Sequence, residues 1–100
     1  MSVKLLMKIT LPNETFSKFV KDGTVAEKTE MVLNQIKPKS VYFTEMNGQR
    51  TTIAIVEIED SSMIPALAEP WFLTFNAQVE FHPVMEYDDL KKSGIEKIGK

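Results

Sequence analysis

The chain has no cysteine. That excludes disulfides, thiolate nucleophiles and cysteine-held zinc or iron–sulfur sites. It has a single histidine and a single tryptophan, so any chemistry that needs an imidazole has one candidate, His82. Neither sign of charge dominates: 12 Lys and Arg face 14 Asp and Glu, for a net charge of −2. The signs are interspersed, so there is no basic footprint for nucleic acid or an anionic membrane. No apolar run is long enough to span a bilayer. The most apolar early stretch, Val3 to Leu11, carries Lys4 and Lys8, which argues against a span and against a signal peptide alike. These absences lead to the expectation of a soluble, cytoplasmic protein with no nucleic-acid or membrane partner.

What is present is a folded globule. The 100 residues are 43% apolar, which suits one domain over 1–100. A chain of this size buries roughly two-thirds of its unfolded surface, enough for one core. The most informative local signal is Asn47-Gly48 between two β-rich runs, since a type I′ hairpin turn needs positive φ at both central residues. A two-residue loop there sets Glu45 opposite Arg50 and Tyr42 opposite Ile53. Val41, Phe43, Ala54, Val56 and Ile58 then share one face, and Tyr42, Thr44, Ile53, Ile55 and Glu57 the other. The third strand is apolar on both faces and is expected in the centre of a sheet.

Before the hairpin, Lys4 to Leu11 alternates with period two, with Leu5, Met7, Ile9 and Leu11 on the dry face. Asn13 is a candidate N-cap. The helical region to Ile36 changes phase at Asp22-Gly23-Thr24, where Gly23 suits a left-handed cap and Thr24 with Glu27 suits a capping box. Two short helices, or one bent one, are expected. Pro38 ends the second. After the hairpin, Asp60-Ser61-Ser62 offers cap oxygens for a helix carrying Ile64, Leu67 and Ala68, which Pro70 closes or kinks. The last strand runs from Ala77 to Met85, and Pro83 marks it as an edge. Residues 86–100 form a helical tail in which Ile95 and Ile98 can act as anchors.

Strand-helix-strand, hairpin, strand-helix-strand is the order of an α+β, ferredoxin-like βαββαβ sandwich, with a four-stranded antiparallel sheet and helices on one face. Right-handed crossovers put the first and third strands in the centre. The uncovered face collects Leu6, Tyr42, Ile53, Ile55 and Val84, too apolar a group to stay wet. A homodimer paired through that open face is therefore expected.

The run Lys37-Pro38-Lys39-Ser40-Val41-Tyr42-Phe43-Thr44-Glu45, with Gly48-Gln49-Arg50-Thr51 after the turn, resembles a family of uncharacterised proteins of about this length. Ile64 to Leu73 and Pro83-Val84-Met85 with Asp88-Asp89-Leu90 carry the same resemblance, which covers nearly the whole chain. The family resembles a branch of the dimeric α/β-barrel superfamily, which includes cofactor-free monooxygenases, small isomerases and stress-related proteins. The resemblance implies a fold and a dimer. It implies no activity, because one fold hosts many chemistries.

His82 is the candidate catalytic base or substrate anchor; the plainer reading is an edge-strand histidine in a dimer contact. Glu57 and Glu80 share its face, where a desolvated carboxylate could take a proton. The plainer reading pairs them with Lys4 and Lys8 across strands. His82 with either glutamate also has the right ligand types for a metal, but in no recognised spacing, so no metal and no cofactor are assigned. Trp71 could stack on a flat ligand at a pocket mouth or close the core, and Phe72 reads as core. Glu45 and Arg50 read as a surface ion pair. The candidate ligand-binding set is Lys8, Tyr42, Glu57, Trp71 and His82. The leading function is a dimer that binds a small apolar or aromatic ligand. A cofactor-independent monooxygenase or isomerase comes second, and a structural self-association module third.

Overall fold

The computed structural model describes residues 2–100. The helices and strands follow in order: β1 (Val3–Leu11), α1 (Asn13–Asp22), α2 (Val25–Ile36), β2 (Ser40–Met46), β3 (Gln49–Ile58), α3 (Ile64–Phe75), which a single 3-10 turn (Ser61–Met63) precedes, β4 (Gln78–Val84), α4 (Tyr87–Lys92) and α5 (Ile95–Ile98). The four strands make one antiparallel sheet in the order β2-β3-β1-β4. The central strands are the two that right-handed crossovers put there, the doubly apolar third strand among them, and the Pro83 strand is at an edge. This is the ferredoxin-like arrangement.

The hairpin forms in the expected register. Tyr42 faces Ile53 and Glu45 faces Arg50, with Asn47 at φ 56° and Gly48 at φ 76°. Parity then sorts the sheet. Leu5, Met7, Ile9 and Leu11 of β1 and Ala54, Val56 and Ile58 of β3 are buried toward the helices. Val32 and Ile36 of α2 and Leu67, Trp71 and Phe75 of α3 meet them. From α1, Phe16 stacks on Phe75 with ring centroids 5.6 Å apart, and Phe19 meets the same ring edge-on at 5.9 Å.

The phase break between the first two helices is real. Gly23 takes φ 82° and its N–H donates back to Phe19 and Val20. The capping chemistry differs from expectation. Thr24 makes no capping box with Glu27; its N–H and hydroxyl both donate to Asp22 Oδ1, at 2.9 and 2.6 Å. Asn13 is not the N-cap. Its side chain instead donates to the Gly48 carbonyl at 3.1 Å and accepts from the Arg50 N–H at 3.4 Å, so it ties the start of α1 to the hairpin turn. Val20 of α1 is exposed.

Pro70 does not close α3, which runs on to Phe75. Proline deprives the carbonyl four residues earlier of its donor. That carbonyl belongs to Ala66, on the exposed side of the helix, where water can replace the lost bond. Asp60 does cap the preceding turn, accepting from the Ser62 N–H at 2.9 Å. Donation by Thr24 and Ser62 holds the Asp22 and Asp60 carboxyls below their ordinary value of 3.8. A depressed native pKa stabilises the fold fully above the unfolded value, and the gain is lost as pH falls through the lower native value. The melting temperature should therefore begin to drop as the solution is acidified below about 3.8. The double variant Asp22→Asn/Asp60→Asn should show a flatter acid limb in a pH series of thermal melts.

The tail does not anchor. Ile95 is 53% and Ile98 74% exposed, as are Met85 at 64% and Tyr87 at 73%. Among the described residues its root is held by the Lys4–Glu86 ion pair and the reciprocal bonds between Glu86 and Asp89. The tail stands off as an arm. The molecule measures 59 × 28 × 17 Å with a radius of gyration of 16.2 Å, against about 13 Å for a compact chain of this length. Among the described residues, no helix is long and apolar enough to cross a membrane.

Candidate functional site

Strand pairing lays the uncovered face out in rows. One row runs Tyr42, Ile53, Lys8, Glu80 across all four strands; the next runs Ser40, Ile55, Leu6, His82; the third holds Glu57, Lys4 and Val84. Leu6, Ile53, Ile55 and Val84 are half-buried, and Tyr42 is 62% exposed. The face is an apolar stripe along the central strands with charged residues at its margins.

The candidate residues divide into groups. His82 and Lys8 come together on Glu80. His82 Nε2 donates to Glu80 Oε1 at 3.0 Å, and Lys8 Nζ lies 3.9 Å from Glu80 Oε2. Tyr42 is on the opposite edge strand, three strand spacings from His82, or about 14 Å. Glu57 is at one end of the sheet. It faces Lys4 across the strands, yet its carboxylate pairs with Lys39 at 3.4 Å while Lys4 turns to Glu86. That bond with Glu86, more than the nearby charge of Glu57, raises the Lys4 ammonium above its ordinary value. Glu80 and His82 are each 54% exposed, so the geometry is that of polar contacts open to water. Among the described residues, no three His, Asp or Glu side chains converge on a common point as a metal site requires.

Trp71 does not belong to this face. It is fully buried among the helices, with its ring 6.0 Å from that of Phe75. Phe72, read as core, is 39% exposed. The exchange follows from the uninterrupted helix: Leu67, Trp71 and Phe75 recur every four residues on the inner side, and Phe72 is one step off it. The Glu45–Arg50 ion pair is also not formed. Arg50 donates to the Asn13 carbonyl at 3.2 Å and to Ser17 Oγ at 2.8 Å, and its guanidinium is 4.9 Å from the Phe16 ring centroid. Glu45 accepts from the Gly48 N–H at 3.0 Å.

The main shallow grooves among the described residues lie away from Lys8, Tyr42 and His82. A groove of about 360 Å³ lies at the arm root between Lys4, Glu57 and Asp89. Another, of about 440 Å³ and almost wholly apolar, lies on the helix side between α1, α2 and Phe43 of β2. Strand parity places Phe43 on the helix side but gives no sign of this trough, which depends on the angle between α1 and α2.

A family profile described as "Domain of unknown function (DUF3303)" matches residues 4–97. No curated protein matches the chain. Among solved structures, the chain is similar to "De novo designed protein Foldit4", at 18% identity and a TM-score of 0.43 over 86% of this chain and 99% of that one.

Proposed function

Because the chain belongs to the family described as Domain of unknown function (DUF3303), a membership that assigns no activity, we propose its function from the open face: a homodimer, paired sheet to sheet, that holds a small apolar or aromatic ligand between its two copies. The observation that carries this reading is the stripe of Leu6, Ile53 and Ile55 on the two central strands, where no helix covers it. Contiguous apolar surface of that kind favours association. A second sheet face would enclose a space that one chain lacks. Tyr42 would supply an aromatic wall, and Lys8 and His82 would meet a polar or acidic end of the ligand. Glu57 lies at the end of the chamber.

An enzyme version would use His82 as base. The His82–Glu80 bond favours it, since a carboxylate that orients an imidazole is a recurring part of general-base sites. Among the described residues Lys8 alone joins that pair, 3.9 Å from Glu80 Oε2, and the three complete no catalytic set, so the binding reading leads.

Ile55→Lys places a charge in the middle of the stripe without touching the helix-side core. Sedimentation velocity should show that wild type pairs through this face and that the variant does not, with the far-UV circular dichroism unchanged. Calorimetry with benzoate and a naphthoquinone should show binding to wild type and none to Ile55→Lys. A wild-type protein that stays monomeric at high concentration, or whose assembly ignores Ile55→Lys, overturns the pairing. An assembled wild type that binds no member of an aromatic acid and quinone panel overturns the ligand.

A further inference from the structure

We infer a second self-association surface, separate from the open face: the free edge of β2 pairs antiparallel with the β2 edge of another copy, joining two sheets into one of eight strands. The first observation is the backbone. In a two-residue hairpin the residues flanking the turn, Met46 and Gln49, form a hydrogen-bonded pair, and such pairs alternate along the strands. Thr44 and Tyr42 therefore bond to β3, while the N–H and C=O groups of Val41, Phe43 and Glu45 point away from the sheet. Strand edges are commonly protected by proline, bulges or charges. β4 has Pro83. The run Ser-Val-Tyr-Phe-Thr-Glu-Met of β2 has no proline and a single charge, and Tyr42 and Phe43 are 62% and 58% exposed.

The second observation is the apolar trough along the same edge, whose walls include Phe16, Val25, Leu33 and Phe43. A two-fold axis perpendicular to the sheet brings both helix layers to one side and sets the two troughs against each other. One operation would then satisfy the open backbone groups and cover the trough, as an isologous contact requires.

Charge selects a second copy as the occupant. β2 has a basic approach, Lys37 and Lys39, and an acidic end, Glu45. Among the described residues neither Lys37 nor Glu45 has an ion-pair partner, and the Lys39–Glu57 pair is exposed enough to exchange at little cost. Antiparallel apposition sets each basic end beside the partner's acidic end. The register follows from the apolar residues. Centring the axis on Tyr42 puts Val41 opposite the partner's Phe43 on the helix side. Centring it on Phe43 or Thr44 would set Glu45 against Val41 or Phe43 instead.

The test uses the full chain carrying Ile55→Lys, in which the face contact is blocked, so failure of the face reading and failure of this one are distinguishable. Sedimentation equilibrium should find that protein dimeric, and Phe43→Lys should make it monomeric with unchanged circular dichroism. Lys37→Glu/Lys39→Glu should weaken the dimer on the order of tenfold through like-charge contacts. Adding Glu45→Lys should restore it. Amide exchange read by NMR should be slow at Val41 and Phe43 in the dimer and fast in Phe43→Lys. A monomeric Ile55→Lys protein, a dimer indifferent to Phe43→Lys, or no rescue by the charge reversal overturns the inference.

Discussion

Trp71→Ala should lower stability by about 3–5 kcal/mol, the cost of removing a fully buried aromatic whose space the neighbours cannot refill. Trp71 is 0% exposed, and it packs on Phe75, which in turn takes Phe16 and Phe19 of α1. The indole thus belongs to the core cluster that the helices and the sheet share, and its removal loosens that cluster. A domain of this size has roughly 5–15 kcal/mol in total. At about 4–8 °C per kcal/mol, the melting temperature should fall on the order of 15–30 °C. Phe72→Ala is the internal control. Phe72 is the adjacent aromatic at 39% exposure, and its truncation should cost clearly less, on the order of 1–2 kcal/mol, because part of the ring is already in water. Chemical denaturation of the two variants side by side checks both the size of the effect and the assignment. Equal destabilisation would mean that α3 presents a different face to the sheet.

That pair of residues also shows where sequence reasoning reaches its limit. Sheet order, hairpin register and strand faces were legible because each follows from a rule with period two or from one turn dipeptide: Asn47-Gly48 fixed the pairing, and parity did the rest. The helix break at Gly23 was legible because the apolar stripe changed phase there. What failed depended on an alternative that local pattern cannot rank. Pro70 could end α3 or ride inside it, and only the packing of Phe75 under α1 decides for the longer helix. Asn13 had a local cap within reach, yet the hairpin turn, distant in sequence, claimed its side chain. Arg50 faced Glu45 across the strands and went to α1 instead, where Asn13, Ser17 and Phe16 receive it. In each case a long-range partner displaced a short-range one.

The candidate site follows the same division. Parity put Lys8, Tyr42, Glu57 and His82 on one face, and the structure keeps them there. Parity carries no lateral distance, however, and three strand spacings separate Tyr42 from His82. The two cannot converge within a single chain. A site that uses both edges of the open face needs a second sheet to close it, so the binding proposal depends on the dimer. The arm was also illegible. Its charge pattern satisfies helix ends, Asp88 and Asp89 early and Lys91 and Lys92 late. That pattern forms a helix equally well on the body or away from it.

Thr52→Val should raise stability by about 1–3 kcal/mol, the penalty of burying a polar group without a partner. Thr52 is in the central strand β3 between Ile9 and Phe43, fully buried on the helix side, and its hydroxyl has no hydrogen-bond partner among the described residues. Valine keeps the β-branched shape and the strand preference while removing the unpaired oxygen. The neighbouring Thr51 separates this cause from a general gain in apolarity. Thr51 is about as buried, at 2% exposure, but its hydroxyl donates to the Gln49 carbonyl at 3.0 Å. Thr51→Val should therefore be neutral or destabilising by up to about 1.5 kcal/mol, the net value of one such bond. Urea melts of the two variants should move in opposite directions. A Thr52→Val protein no more stable than wild type would mean that the hydroxyl has a partner in solution, with ordered water in the helix-side core as the first candidate.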